Sequence, residues 1–320
     1  MIINIITAAV FSGTAILMAC LGEILTERSG NLNLGVEGIM YVGAVAGLAG
    51  AVQSDYSGLP AAVSVAAGCM ASLLAGTLMS FVYAFLTVTM RVNQNVVGLS
   101  MTILGTGLGN YCGELLSQDH GGYVSVGDAV TKAIMTQPFQ KLSEIPVIGD
   151  LFFSYNWFLY VTLAVAVLMY FYLRKTRTGI NLRTVGENPA AADVSGISVT
   201  LYRYTATLIG GALCGLAGMY MSMVIDSGVW IHNCVNGYGW LAVALVIFSA
   251  WNPLRAIPCS LLFGMLMILR LYISIPGISP YIYDMSPYIA TCVIIVINSI
   301  RKRYSGEPAA LGKNYFREER

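Results

Sequence analysis

The sequence predicts an all-α protein that crosses a membrane many times, with about nine transmembrane helices (roughly eight to ten). The composition is one indication, because 57% of the 320 residues are hydrophobic and only 10% are charged. The mean hydropathy of +0.71 agrees. The arrangement is another, because apolar stretches of about 20 residues, long enough to cross the hydrocarbon core, recur along nearly the whole chain. Residues 1–300 are therefore expected to form a single transmembrane domain with no soluble catalytic domain.

The predicted spans follow one another closely. The first is not interpreted as a signal peptide, because no Lys or Arg precedes Arg28 and further spans follow directly. The third is long enough to be tilted or broken. The seventh is short and is expected to be either a re-entrant segment or a tilted half-helix packed within protein. The spans lie at residues 2–22, 36–52, 60–89, 95–116, 153–173, 201–225, 238–250, 254–273 and 287–300.

Basic residues are divided unevenly between the two sides of this arrangement. With the N-terminus outside and the C-terminus inside, all of the 17 Lys and Arg residues except Lys132, Lys141 and Arg270 lie on the inner side, as the positive-inside rule requires. This orientation predicts an external loop at 117–152, a cytoplasmic segment at 174–200 and a basic cytoplasmic tail at 301–320. The first basic cluster of the tail is expected to hold the last span at the lipid headgroups.

Within the cytoplasmic segment, the stretch from Arg183 to Ile197 has the features of a short soluble helix. Asn188 can cap its start, Pro189 suits the first helical position, and Gly196 suits the left-handed residue just past its end. A helix of about two turns is marginal by itself in water. The stretch is therefore expected to pack against another element or another protein.

The residue patterns that an enzyme would need do not occur in the sequence. His120 and His232 are the only histidines and fall in or near external loops, without HExxH, GxSxG or Cys/His ligand spacing. The string from Gly306 to Asn314 has one residue too many for a phosphate-binding loop and Asn where Ser or Thr is needed. The seven cysteines are interpreted as small hydrophobic residues. We expect no catalytic residue, metal, bound cofactor or nucleic-acid partner, and any ATP and Mg would be used by another chain.

Polar residues at the starts of two predicted spans are candidates for a substrate pathway, because polar groups in hydrocarbon are costly. The first cluster contains Asn31, Asn33 and Glu37, and the second contains Asn93 and Asn95, with Asn110 a few turns further on. Amide side chains suit hydroxyl groups and heterocyclic ring edges. The alternative is that they cap cytoplasmic turns. Glu37 needs a partner such as Arg28, an amide or water.

Glycines occur in stripes that indicate close packing between helices. Such packing predicts a compact bundle and not a wide pore. The stripes comprise Gly43, Gly47 and Gly50 in the second span, and Gly210, Gly211, Gly215 and Gly218 in the sixth.

The motifs Gly22-Glu23 and ERSGNLNLGVEG, from Glu27 to Gly38, resemble the start of permease subunits of bacterial ABC importers. The group is the branched-chain amino acid and simple-sugar permease superfamily, in its nucleoside (guanosine or ribonucleoside) branch. The stretch from Val185 to Ile197 resembles the coupling helix of that family. Further similar strings follow in the expected order: Ile145 to Gly149, Gly215 to Gly218, Ala242 to Phe248, Trp251 to Pro253, and Ser286 to Ile289.

The resemblance implies a type II importer bundle that moves solute by alternating access. At 236–240 the chain departs from the usual Gly-x-Gly-Phe pattern and has Trp240 in place of Phe, at a substrate contact or gate. The resemblance assigns coupling to the ATPase to Gly186, Glu187, Asn188, Pro189, Ala191, Ala192, Asp193 and Gly196, with Glu187 and Asp193 expected to pair with basic residues across the interface. The candidate substrate pathway comprises Asn31, Asn33, Glu37, Asn93, Asn95, Asn110, Tyr238 and Trp240.

The implied partners are an ABC ATP-binding subunit, a second and related permease subunit that forms a heterodimer, and an extracellular solute-binding lipoprotein. The implied location is the lipid bilayer of the bacterial cytoplasmic membrane. A permease for simple sugars or branched-chain amino acids is the nearest alternative. A secondary transporter that uses no ATP is the alternative from another class, although it would need no docking helix and would more often carry ionisable residues deep in several spans.

Overall fold

The computed structural model describes residues 2–143, 145, 148–272, 279–300 and 306–317. These residues form helices and one isolated antiparallel bridge, between Ser125 and Val229. Two π-helical turns, Phe85–Thr89 and Met221–Ile225, each continue the α-helix that precedes them. The α-helices are α1 (Ile2–Arg28), α2 (Val36–Tyr56), α3 (Ala61–Ala84), α4 (Gln94–Asp119), α5 (Asp128–Ile134), α6 (Gln140–Ser143), α7 (Ile148–Phe152), α8 (Trp157–Lys175), α9 (Arg177–Glu187), α10 (Pro189–Val194), α11 (Val199–Tyr220), α12 (Tyr238–Phe248), α13 (Pro253–Tyr272) and α14 (Pro280–Ile300).

Five helices of the described part are long and apolar enough to cross a bilayer: α1, α2, α3 with its π-helical turn, α8, and α11 with its π-helical turn. The chain is thus a multi-pass, all-helical membrane protein. The remaining predicted spans coincide with α4, α12, α13 and α14, of which α12 and α13 are shorter apolar helices. The count of nine spans stays a prediction. The third predicted span, expected to be tilted or broken, is one continuous helix whose last turn, after Ala84, is π-helical.

The core of the bundle is built around α1, which packs against α11, α12 and α13. Its side chains from Ala15 to Leu25 are buried all around the helix, as expected for a helix enclosed by others. Next to it, α2, α3 and α11 pack in a tight group. A Cβ atom on Gly43 of α2 would overlap the backbone of Gly215 in α11, so the predicted close packing of glycines is confirmed at this crossing.

The bundle has two ends, which α11 and its π-helical turn connect. The α10 end carries α9, α10 and the C-terminal segment 306–317, whose Ala310 N donates to the carbonyl of Gly186. The α5 end carries α5 and the bridge at Ser125, where Val126 N donates to Gly228 O. The basic cluster of the tail, Arg301 to Arg303, lies outside the described residues. So do Pro146 and Val147, which belong to the string that resembles the permease family.

Residues 226–251 run from the α5 end to the α10 end as an irregular stretch followed by the short helix α12. Gly228 and Trp230 pair with the backbone at the α5 end, whereas the carbonyl of Trp251 accepts from the guanidinium of Arg28, 2.9 Å away at the α10 end. The seventh predicted span thus contains one short helix, and the choice between a re-entrant segment and a tilted half-helix stays a prediction. With 11 residues, α12 is about 16 Å long, roughly half of the hydrocarbon thickness.

Candidate functional site

The start of α12 is held by a carboxylate from a different helix. The two carboxylate oxygens of Glu37 accept hydrogen bonds from the backbone nitrogens of Gly237 and Gly239, each at 2.7 Å. Gly237 has a φ of +89°, and Tyr238 begins the helix. A helix that starts inside a bundle leaves unpaired N–H groups, and a carboxylate satisfies them with charge-assisted bonds. Glu37 therefore caps α12, and the partner that the sequence required is a pair of backbone amides.

Polar and aromatic side chains surround the stretch that leads into α12. The hydroxyl of Tyr41, one turn after Glu37 on α2, donates to Asn233 Oδ1 at 3.1 Å. Asn110 of α4 donates to the same oxygen at 3.4 Å. Tyr238 shares a hydrogen bond of 2.9 Å with the hydroxyl of Ser12 in α1. Three helices, α1, α2 and α4, thus present hydrogen-bonding groups to one stretch of chain, an arrangement that can bind or gate a polar solute.

The structure brings three of the candidate pathway residues, Glu37, Asn110 and Tyr238, to this region. Trp240 lies partly buried in the first turn of α12. Sequence reasoning missed Tyr41 and Asn233. A signal for Tyr41 was available, because residues four apart on a helix share a face, so the face of α2 that carries Glu37 also carries Tyr41.

Asn31 and Asn33 are buried in the loop between α1 and α2. Asn31 donates to the hydroxyl of Thr207 at 3.0 Å. Asn33 Oδ1 accepts from Gly35 N at 2.9 Å, while its own backbone nitrogen donates to Glu23 Oε1 at 3.1 Å. These contacts stabilise a buried turn. The side chains of Asn31 and Asn33 therefore hold the loop between α1 and α2 in its conformation.

Asn93 and Asn95 lie on the exposed surface at the α10 end. Asn93 is the N-cap of α4, and its side-chain oxygen accepts from the backbone nitrogens of Asn95 and Val96 at 3.0 and 3.2 Å. The capped-turn alternative therefore describes Asn93.

The predicted soluble helix is α10, which occupies only the part of the stretch after Asn188. Residues 183–187 belong to α9, and the chain breaks at Asn188 before α10 begins. The expected caps are confirmed, because Asn188 Oδ1 accepts from Ala191 N at 3.0 Å, Pro189 opens α10, and Gly196 has a φ of +81°. Ala192 is buried against Val185 and Val199. Val194 is 73% exposed. Sequence reasoning did not identify it as a contact residue, although an exposed apolar residue at the end of a surface helix can indicate a binding surface.

The acidic residues beside α10 are bound by the C-terminal segment of the same chain. Glu187 Oε2 accepts from Ala309 N at 3.2 Å. Asp193 Oδ2 accepts from the Tyr315 hydroxyl at 2.8 Å and lies 3.4 Å from Arg317 Nε. The sequence indicated no role for these tail residues, because nothing local shows that a polar tail folds back onto a surface helix.

Asp226, near the α5 end, has a shifted pKa. Asp226 follows the π-helical turn of α11, and burial raises its pKa to about 6. Among the residues that the structure describes, no group of three or more His, Cys, Asp or Glu side chains is arranged to hold a metal ion.

Comparison with known proteins identifies the family. TsgC13 of Haloferax volcanii, which is named as a candidate glucose ABC transporter permease protein, is 33% identical, with 98% of each chain covered. The nucleoside ABC transporter permease protein NupC of Lactococcus lactis is 32% identical, with 96% of this chain and 94% of NupC covered. The guanosine ABC transporter permease protein NupQ of Bacillus subtilis is 30% identical, with 99% and 97% covered. Residues 4–297 match a family described as the branched-chain amino acid transport system, permease component, and this chain belongs to that family.

Proposed function

We propose that this chain is the permease subunit of an ATP-driven ABC importer for nucleosides. The observation that carries the proposal is the similarity along nearly the whole chain to permeases named for nucleoside and guanosine transport. The region around α12 agrees with it, because amides such as Asn110 and Asn233 can pair with a base edge or a ribose hydroxyl. Tyrosine rings such as Tyr41 and Tyr238 offer aromatic surface to a base.

A sugar permease is the second candidate, favoured by the 33% identity to TsgC13. Uptake by vesicles that contain this chain and its partner subunits separates the two. ATP-dependent accumulation of labelled guanosine that unlabelled glucose does not inhibit would support the nucleoside proposal. Accumulation of glucose without guanosine would contradict it.

In this proposal, α10 is the helix that docks on the ATP-binding subunit. The docking role is supported by the exposed tip that Ala191 and Val194 form on α10. Ala192 and Asp193 fix this helix to the rest of the chain. Because Glu187 and Asp193 bind the chain's own tail, the apolar tip provides the contact in place of the acidic residues. Val194→Arg should abolish binding of the ATP-binding subunit without changing the melting temperature. Undiminished binding would contradict the docking role.

The chain is further proposed to pair with a related but different permease and to receive solute from a binding lipoprotein at the α5 end. Co-purification of two differently tagged copies of this chain would contradict the unlike pair. The proposed orientation puts the α10 end in the cytoplasm. Its test is labelling of Asn188→Cys, in a background where the exposed Cys112 and Cys292 are serine, and labelling from outside intact cells would contradict it.

A further inference from the structure

A small cavity at the α10 end lies beside the start of α11. Its volume is about 190 Å³. One wall is formed by Ser198, Val199 and Thr200, which are the N-cap and the first two residues of α11. The first N–H groups of a helix have no partner within the helix and carry partial positive charge. This wall of the cavity therefore favours an anion.

Arg203, about one turn further along α11, is the second and more specific feature of the cavity. Its side chain lines the cavity and is only 2% exposed. The guanidinium nitrogens Nε and Nη2 are both buried without a hydrogen-bond partner. Together these two nitrogens form the edge of a guanidinium that can bind two oxygens of a carboxylate or phosphate side by side. Because a buried charge without a partner is costly, an oxyanion bound to Arg203 would remove this cost.

The other charged side chains around the cavity make contacts with the C-terminal segment. The guanidinium of Arg91 lies over the ring of Phe316, 4.9 Å from the ring centroid. Asp193 is the only carboxylate among the described residues that line the cavity. It accepts a hydrogen bond from Tyr315 and lies 3.4 Å from Nε of Arg317, whose charge offsets its own. The wall of the cavity thus contains a carboxylate that is already bound by the tail.

We propose that the cavity is a binding site for an oxyanion, a phosphate or carboxylate group that Arg203 and the first N–H groups of α11 hold together. Two sources can supply this group. One is free phosphate in solution. The other is an acidic side chain of the ATP-binding subunit, because Val194, the exposed tip of α10, directly follows Asp193 in the cavity wall. Only this second source rests on the proposed docking of α10, and neither depends on which solute is transported.

Thermal unfolding in detergent tests the site in two preparations, the assembled transporter and the permease separated from the ATP-binding subunit. Saturating inorganic phosphate should raise the melting temperature by about 3 °C relative to chloride at the same ionic strength, because a ligand that binds only the folded state stabilises it. A rise in both preparations would identify free phosphate as the source. A rise in the separated permease alone would mean that an acidic side chain of the ATP-binding subunit fills the site in the complex.

Two variants connect the rise to the cavity. Arg203→Met should abolish it, and without phosphate this variant should melt no lower than the parent, because a buried charge without a hydrogen-bond partner has been removed. Thr200→Glu places a carboxylate three residues before Arg203 on the same face of α11. It should raise the melting temperature without phosphate and also abolish the response to phosphate. Arg177→Gln is the matched control and should retain the rise, because Arg177 is exposed at the same end but does not line the cavity.

Three results would overturn the proposal. Equal melting temperatures in phosphate and chloride for both preparations would show that the cavity binds no oxyanion. A rise that persists in Arg203→Met would place the phosphate elsewhere, for example on the ATP-binding subunit. An undiminished rise in Thr200→Glu has the same meaning and decides the question if Arg203→Met does not fold. An equal loss of the rise in Arg177→Gln would indicate a general effect of positive charge at this end.

Discussion

Glu37 and Gly239 are 202 positions apart in the chain, yet the carboxylate of Glu37 lies 2.7 Å from the backbone nitrogen of Gly239. This contact joins α2 to the first turn of α12 inside the bundle. At the other end of α12, the indole of Trp251 donates a hydrogen bond to the carboxylate of Glu27. The short helix α12 is thus fixed at both ends by acidic residues of the first two helices.

Removal of the Glu37 carboxylate should destabilise the protein. Glu37→Ala leaves the N–H groups of Gly237 and Gly239 without their acceptor, at a cost of about 2–4 kcal/mol, whereas Glu37→Gln retains one acceptor and should cost less. Denaturant unfolding in mixed micelles measures the difference. Glu114→Ala, which removes a carboxylate half-exposed on α4, is the control and should change little. An equal effect of Glu37→Ala and Glu114→Ala would show that the bonds to α12 are unimportant.

Substitution of Gly215 tests the close crossing of α3 and α11. A Cβ atom there would overlap the carbonyl oxygen of Ser72, so Gly215→Ala should cost about 1–3 kcal/mol by forcing the helices apart. Gly107→Ala is the matched control, because nothing lies within 4 Å of the added atom, and there alanine should be neutral or slightly stabilising. Thermal unfolding in detergent distinguishes the two sites. Unchanged stability of Gly215→Ala would mean that the crossing can relax freely.

The C-terminal segment should order α10. Tyr315→Phe removes the 2.8 Å hydrogen bond to Asp193, so amide hydrogen exchange within α10 should become about fivefold faster, the effect of a lost bond worth about 1 kcal/mol. Lys313→Gln is the control, because Lys313 Nζ donates to Ala309 O within the segment itself. The same exchange rate in Tyr315→Phe and the parent would show that α10 is ordered without the tail.

Asp226 should make stability depend on pH. Burial raises its pKa from 3.8 to about 6 in the folded chain, so the folded state binds the proton more tightly than the unfolded state does. Its contribution to stability is therefore complete below about pH 4 and is lost as the pH rises through about 6. The melting temperature of Asp226→Asn should vary less between pH 4 and 7 than that of the parent, and Asp119→Asn, at an exposed position, should retain the parent's profile. A parallel profile for Asp226→Asn would rule out this aspartate as the source.

Local sequence patterns predicted those parts of the fold that local chemistry decides. The apolar stretches predicted the five long helices because burial of about 20 apolar residues fixes a span. Asn188, Pro189 and Gly196 predicted the caps of α10 because caps depend on neighbouring residues. The helix before it, α9, was not predicted, and residues 183–187 of the stretch belong to that helix.

The candidate site was only partly predictable, because its contacts are long-range. Glu37 was identified from the cost of a carboxylate in an apolar run, yet its partners at 237 and 239 have no sequence signature. Asn31 and Asn33 have the same polar pattern, but the structure buries them in a turn. Tyr41 and Asn233 meet only because residues 226–237 pass beside α2 and α4.

The sequence by itself determined that this protein is a helical membrane permease, because hydrophobic length, small-residue stripes and family motifs are properties of the linear chain. Only the tertiary structure decided what the polar residues do. In the folded chain, Glu37 caps the distant helix α12 and Asp193 accepts a hydrogen bond from Tyr315. Arg183 and Arg255 line the same cavity. Hydrogen bonds and ion pairs act over a few ångströms, so their partners are fixed only when the helices pack together.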